Sequence, residues 1–423
     1  MEIHVVAQGD TLYDIARRYQ VTPQEIVTSN RFTHPNQLII GETLLIPSTN
    51  RYTVQAGETF WSIAQKFNID VQALMSLNQP LTHGVLHAGQ VIRIPEKQKP
   101  KMIVNGFIEP SAGAVQQFQE AADGLTYVGI FSYHVKANGD LVAPNDTEDA
   151  LLEAAKSRRV FPLMTITNIS TSGFDREVAA ALFKSSEAQN RLLNNVLRIM
   201  KEKGYRGLII DFEYLGSGTR RAFNRFIKKM TDRLHQKRYI VCTALAPKIS
   251  GEQTGAWYEA HDYQFHGKTV DFVILMTYEW GWSGGPPMPV SPLTQVETVV
   301  NYARSVMPDR KIVVSIPLYG YDWTLPYEPG GPFAKALSFE QTLDLARRHH
   351  VQIEFNEKEK APYFRYTDQQ NRSHIVFFED LRTMEALFQL VRSHHLRGLS
   401  FWNLAFRFPE VWALITDEFN VKK

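Results

Sequence analysis

Cysteine is almost absent from this chain: Cys242 stands alone among 423 residues. No intramolecular disulfide and no cysteine-built zinc site can form, so stability must come from packing. Charge of one sign is also missing. Lys and Arg number 46 against 44 Asp and Glu, a formal net charge of +2, which excludes a strong polyanion-binding surface and makes nucleic acid an unexpected partner. No run of about 18 apolar residues occurs, and Met1–Asp10 has neither a basic nor an apolar stretch, so neither a membrane span nor a signal peptide is expected. What is present is a globular composition, 44% hydrophobic and 12% aromatic with 25 Gly and 21 Pro. That suffices for a large core and two or three folding units.

An internal repeat divides the chain. Val6, Gly9, Thr11, Ile15, Ala16, Asn30, Gly41, Ile46 and Pro47 recur as Val54, Gly57, Thr59, Ile63, Ala64, Asn78, Gly89, Ile94 and Pro95, each displaced by 48 positions. Each copy, 1–48 and 50–96, reads as a short strand (His4–Ala7; Tyr52–Gln55), two amphipathic helices and a closing strand (Thr43–Ile46; Val91–Ile94). Thr11 and Thr59 fall at helix N-caps, and Asp10 and Glu58 are expected at the positive end of the helix dipole. The patterns Gln8-Gly9-Asp10-Thr11-Leu12-Tyr13-Asp14-Ile15-Ala16 and Ala56-Gly57-Glu58-Thr59-Phe60-Trp61-Ser62-Ile63-Ala64, each copy closing with Ile-Pro, resemble lysin motifs (LysM). That family binds N-acetylglucosamine-containing glycans such as peptidoglycan and chitin. The resemblance implies a sugar between Gly9–Leu12 and Leu38–Gly41 in the first copy, and between Gly57–Phe60 and Val85–Gly89 in the second. Gly9, Asp10, Thr11, Gly57, Glu58 and Thr59 are the candidate contacts, unless they only cap and pack the module.

Residues 97–101 form a charged, proline-bearing linker, and the remainder, 102–423, alternates apolar runs with helical stretches. The runs are Met102–Phe107, Tyr127–Phe131, Val160–Ile166, Gly207–Phe212, Tyr239–Leu245, Phe272–Thr277, Ile312–Pro317 and Gly398–Trp402. Eight near-continuous apolar strands with helical crossovers, such as Glu187–Lys203 and Arg220–Gln236, predict an α/β fold: a parallel (β/α)8 TIM barrel. Residues 322–379 are too long for one crossover helix and contain alternating runs, which predicts a small α+β insertion between strands seven and eight.

Reactive groups of such barrels sit at the carboxyl ends of strands. The fourth run ends Asp211-Phe212-Glu213. Alternation points Asp211 and Glu213 the same way, about 7 Å apart, with Ile210 and Phe212 toward the helices and Ile209 one layer deeper in the barrel. Two acids in one cleft repel, which raises the proton affinity of one and yields a general acid. Both come from one strand end, so Asp211 is badly placed to attack opposite Glu213. Substrate-assisted hydrolysis removes the need for a protein nucleophile, because the sugar's 2-acetamido oxygen attacks its own anomeric carbon.

Residues 102–421 resemble the family 18 glycoside hydrolases, which use that mechanism. Of the signature Asp-x-x-Asp-x-Asp-x-Glu the chain keeps Asp211-Phe212-Glu213, and Met276-Thr277-Tyr278 and Trp402 match two further positions. The resemblance implies Glu213 as acid/base, Asp211 orienting the acetamido group, Tyr278 bonding its carbonyl and Trp402 as the floor beneath the sugar. Met276, Glu279 and Trp280 are further candidate contacts. Two family aspartates are replaced by Arg206 and Ile209, which removes a proton relay into the barrel, and Glu279 stands where aspartate is usual. Trp280, Trp282 and Trp323 follow barrel strands as sugar platforms or loop anchors. His349-His350 and His394-His395 lack metal-ligand spacing; no metal or cofactor is expected.

The overall plan resembles the spore-associated family 18 N-acetylglucosaminidases of endospore-forming bacteria, which implies cortex peptidoglycan or its fragments as partner. It also implies a spore coat or cortex location, reached from the mother cell without a leader. A chitinase or muramidase of the same family, and a non-catalytic glycan-binding protein, are the alternatives.

Overall fold

The computed structural model describes the chain except residues 33–36, 48–49, 68, 80–84, 96–98, 146 and 172; residues 97 and 98 of the expected linker therefore lie outside the described residues, and Lys101 already belongs to a strand. In the first repeat, Glu2–Val5 pairs antiparallel with Thr43–Ile46, and helices Leu12–Tyr19 and Pro23–Asn30 lie between them. In the second, Arg51–Thr53 pairs with Val91–Arg93 around helices Phe60–Phe67 and Val71–Leu77. Thr11 and Thr59 cap their helices, accepting the Asp14 and Ser62 amides at 3.1 Å. The repeated asparagine is a backbone clamp. Asn30 accepts from the Leu45 amide and donates to the carbonyls of Leu45 and Ile26, and Asn78 does the same at Arg93 and Leu74. These bonds tie the second helix to the closing strand around a small apolar core.

Asp10 and Glu58 stand one residue before the capping threonines, and each is also held by the chain that precedes it. Asp10 accepts from the Ala7 amide and pairs with His4, both at 2.9 Å; Glu58 accepts from the Gln55 amide and the Tyr52 hydroxyl, both at 2.8 Å. A carboxylate one residue before the cap is within reach of the amide three residues back, beyond the end of the strand, and there it closes the turn.

The eight apolar runs form a closed parallel barrel: Lys101–Ile108, Tyr127–Val135, Phe161–Thr167, Gly207–Asp211, Ile240–Leu245, Phe272–Met276, Ile312–Pro317 and Gly398–Trp402 pair in chain order. The eighth returns to the first, Gly398 opposite Ile103. Burial on both faces explains the near-continuous apolar runs. Ile103, Phe107, Leu163, Ile209, Cys242, Phe272 and Val313 fill the interior. Alternate residues, Ile210 and Phe212 among them, pack outward, where Phe212 stacks on Phe223 and Phe226. Between strands seven and eight a five-stranded antiparallel sheet runs from Tyr319–Leu325 to Ser373–Phe377, with helix Phe339–Arg348. It starts at Tyr319, three residues before the expected Asp322. No helix among the described residues is long and apolar enough to cross a membrane.

The first repeat is packed onto the barrel domain. Its Ile39 and Leu45 belong to the main apolar core, the Ile353 amide donates to the Ile40 carbonyl at 2.9 Å, and Arg382 donates to the Gly41 carbonyl at 3.1 Å. Arg347 pairs with Glu42 at 3.0 Å, both nearly buried. Gly41 adopts a φ of +87°, and a Cβ there would strike the Ile353 carbonyl; its counterpart Gly89 has a φ of +84° with open space around it. Backbone strain is thus the same at both sites and only the close approach differs. Gly41→Ala is therefore expected to cost about 1–3 kcal/mol more than Gly89→Ala in urea unfolding; equal losses would show that the barrel does not press on this loop.

Candidate active site

The fourth barrel strand ends at Asp211, and Glu213 lies two residues beyond on the same side. Both are buried, 4% and 8% exposed, at the wall of a cavity of about 730 Å³ at the carboxyl end of the barrel. The backbone here is held from both flanks. Asn168, just after the third strand, accepts from the Glu213 amide at 2.9 Å and donates to its carbonyl at 3.0 Å; His261 bonds the Phe212 carbonyl at 3.0 Å. With Phe212 locked in its ring stack, the two carboxyl groups are aimed by three fixed contacts.

Tyr278 and Met276, from the end of the sixth strand, and Trp402, from the end of the eighth, line the same cavity. Phe107 and Phe131 hold the Trp402 indole edge-on, at centroid distances of 5.5 and 4.7 Å. Glu279 also reaches the cavity. Its longer arm is met by Tyr319 and Tyr321 of the insertion's first strand, whose hydroxyls donate to one carboxylate oxygen, Tyr321 at 3.0 Å.

Trp280 does not line the cavity, contrary to expectation. Glu279 has a φ of +65°, which turns the chain, so Trp280 packs against the outer apolar layer and Trp282 returns to the cavity mouth, 46% exposed. Trp323 is a loop anchor, its indole donating to the Gly285 carbonyl at 3.0 Å. Gly9, Asp10, Thr11, Gly57, Glu58 and Thr59 lie at the surface of the repeats, away from this cavity.

Sequence reasoning missed Trp257. It follows the fifth strand in a loop without periodicity, yet its indole N–H donates to the Glu213 carboxylate at 2.5 Å, and its ring stacks on Tyr214 at 5.8 Å and 9°. The only signal for it was an aromatic residue in a glycine-containing loop at the carboxyl end of a barrel strand. Asn168 offered no more than a polar residue at another strand end.

Burial pushes Asp211 up to about 7. Burial likewise holds Glu213 well above the ordinary carboxyl range; the Asp211 charge adds to this, Trp257 opposes it, and Glu279 adds a little more. The cause differs from the expected one: repulsion contributes, but loss of water is the larger effect. Ile209, filling the barrel below, puts no charge beneath Asp211, and one Asp211 oxygen has no hydrogen bond among the described residues. No group of three or more His, Cys, Asp or Glu among the described residues could hold a metal.

A carboxyl group with a raised folded-state pKa contributes stability at low pH and loses it as pH rises through that value. Glu213→Gln, which stays neutral, is therefore expected to melt higher than the unsubstituted protein by a margin that grows from pH 5 to pH 8. Asp211→Asn should show its gain developing between about pH 4 and pH 7. A margin independent of pH, measured by thermal unfolding, would contradict the burial of these protons.

Residues 106–406 match the glycosyl hydrolases family 18, and residues 4–47 and 52–95 each match the LysM domain. The chain is 44% identical to the cortical fragment-lytic enzyme of Bacillus subtilis (strain 168), covering 100% of this chain and 99% of that protein. It is 38% identical to the enzyme of the same name from Bacillus cereus, with the same coverage. The crystal structure of the Bacillus megaterium QM B1551 spore cortex-lytic enzyme SleL superposes with a TM-score of 0.91 at 39% identity, over 100% of this chain and 98% of that one. With the closed barrel and its acidic strand end, these matches establish that the chain belongs to the family 18 glycoside hydrolases and carries two LysM domains.

Proposed function

We propose that this glycoside hydrolase cleaves β-1,4 bonds after N-acetylglucosamine in spore cortex peptidoglycan or its fragments, by a substrate-assisted, retaining mechanism. The observation that carries the mechanism is the shared strand end: Asp211 and Glu213 stand on one wall, and the remaining carboxylate of the cavity, Glu279, is clamped by two tyrosines. Among the described residues that arrangement leaves no free carboxylate opposite the acid, so the nucleophile is best supplied by the sugar itself. The relatives act on spore cortex by name, and this supports the substrate and a spore location.

Glu213, kept protonated by burial, gives its proton to the glycosidic oxygen as the bond breaks. The acetamido oxygen closes on the anomeric carbon, and positive charge grows at the amide nitrogen. Asp211, with an acceptor oxygen unoccupied, takes the acetamido N–H and stabilises that charge, while the Tyr278 hydroxyl donates to the acetamido oxygen. Trp402 lies under the ring. Glu213, now ionised, draws a proton from the incoming water, which reopens the ring with retained configuration. Muramic residues whose nitrogen is locked in a lactam have no such nucleophile, so cleavage falls after N-acetylglucosamine. Glycan binding by the LysM region holds the barrel on its polymer.

Digestion of cortex peptidoglycan, intact and pre-cut by a lytic transglycosylase, followed by borohydride reduction and mass spectrometry, tests the bond cleaved. N-acetylglucosaminitol ends are expected. Muramitol ends, products from chitin alone, or binding without any product would each replace the proposal with one of its alternatives. Glu213→Gln should lose about 10²–10⁴ in kcat. Trp257→Phe removes a bond that favours the ionised form of Glu213, so the alkaline limb of kcat/KM should move to higher pH; an unmoved limb would show that Trp257 only packs.

A further inference from the structure

The two repeats share one pattern but not one environment. Positions 3, 39 and 45 of the first are Ile3, Ile39 and Leu45; 48 positions later stand Arg51, His87 and Arg93. Leu45 and Ile39 are 0% and 6% exposed and Ile3 packs on the barrel core, whereas Arg51, His87 and Arg93 are exposed. The outer face of the first hairpin and the loop Leu38–Gly41 thus rest on Ile353, Arg347 and Arg382 of the barrel domain. In the second repeat the same face is open. Arg51 sits opposite Arg93 across the strand pair, and Val85 and Val91 are 80% and 51% exposed.

We infer that the repeats have divided roles: the first is a structural module docked on the barrel, and capture of the polymer falls to the second. This rests on the reading that LysM domains of this chain bind glycan. On the LysM resemblance, a glycan strand enters between the helix-start loop and the loop before the closing strand. In the first repeat that second loop is spent on the barrel, and Gly41 has the Ile353 backbone against it. In the second repeat both walls face water. Facing like charges are unfavourable across a strand pair, and neither Arg51 nor Arg93 has an acidic partner among the described residues. The pair lines a recess of the outer hairpin face with Ala73, Ser76 and Leu77, which no described residue of the two cleft loops lines.

Thr11 and Thr59 both accept the amide three residues on, so Thr11→Arg and Thr59→Arg in the full chain carry comparable local costs and obstruct different clefts. Co-sedimentation with insoluble cortex peptidoglycan is expected to weaken about tenfold for Thr59→Arg and to stay within about twofold for Thr11→Arg. Thermal unfolding should fall equally for both, which separates lost binding from lost folding. Ala88→Trp, at an exposed position of the second loop, should repeat the loss without touching a cap. Equal losses for the two threonine variants, or loss with Thr11→Arg alone, would overturn the division of roles. Full retention by Thr59→Arg and Ala88→Trp would overturn it as well. An unsubstituted protein that cleaves fragments but never sediments would instead remove the glycan-binding reading beneath it.

Discussion

Closure of the barrel leaves each strand residue two directions, inward to the other strands or outward to the helices, and the chemistry of the site hangs on that alternation between positions 209 and 213. Ile209 fills the interior, Ile210 and Phe212 anchor the strand outward, and Asp211 and Glu213 are left at the mouth with nowhere to go but the cavity. A shift of one residue would bury both carboxyl groups against the helix layer and turn Phe212 into the cleft. The stack of Phe212 on Phe223 and Phe226 therefore maintains the active-site geometry as well as the core. The same enclosure removes water from Glu213 and keeps its proton in place.

Around that fixed strand end the other carboxyl group is managed by a different device. Glu279 lies close enough to raise the proton affinity of Glu213, and an uncontrolled charge there would compete for the sugar. The insertion after the seventh strand answers this with Tyr319 and Tyr321, spaced two apart on one strand so that both hydroxyls converge on a single oxygen. Tyr278, Trp323 and Ile375 join them in one apolar cluster. The insertion is thus a wall of the cleft as well as an appendage to the barrel.

What could be read from the sequence follows from how local its cause is. The eight strands were legible because a parallel strand buried on both faces must be apolar throughout, and Asp211 and Glu213 stood out as the charges that broke such a run. Trp402 and Tyr278 were legible through motif resemblance. Trp257 and Asn168 were not, since each acts from the end of a strand flanking the fourth, in a segment whose path is set by packing rather than periodicity. Trp280 misled for a related reason: its neighbour Glu279 takes a left-handed backbone, and no pattern of apolar residues announces a single reversed φ. Asp10 and Glu58 were placed correctly before the caps, but their bonds to the Ala7 and Gln55 amides were not legible, since no pattern marks a turn closed by a side chain.

The repeats show how one pattern can be turned to two uses with few substitutions. The shared positions build the module: the capping threonines, the clamping asparagines and the small apolar core are common to both. The positions that differ lie on the outer hairpin face, where apolar side chains find the barrel in the first copy and arginine and histidine leave that face in water in the second. A module of about 45 residues has a marginal core, so docking supplies stability the first repeat could not reach by itself, at the expense of one wall of its own cleft. Thr53 of the second repeat donates to Gln20 of the first at 2.7 Å, so the second repeat is tethered beside a rigid partner while both of its walls stay open. A polymer held by such a module is confined to the neighbourhood of the barrel without being fixed to one register. A hydrolase that must meet successive N-acetylglucosamine residues along a strand needs that freedom.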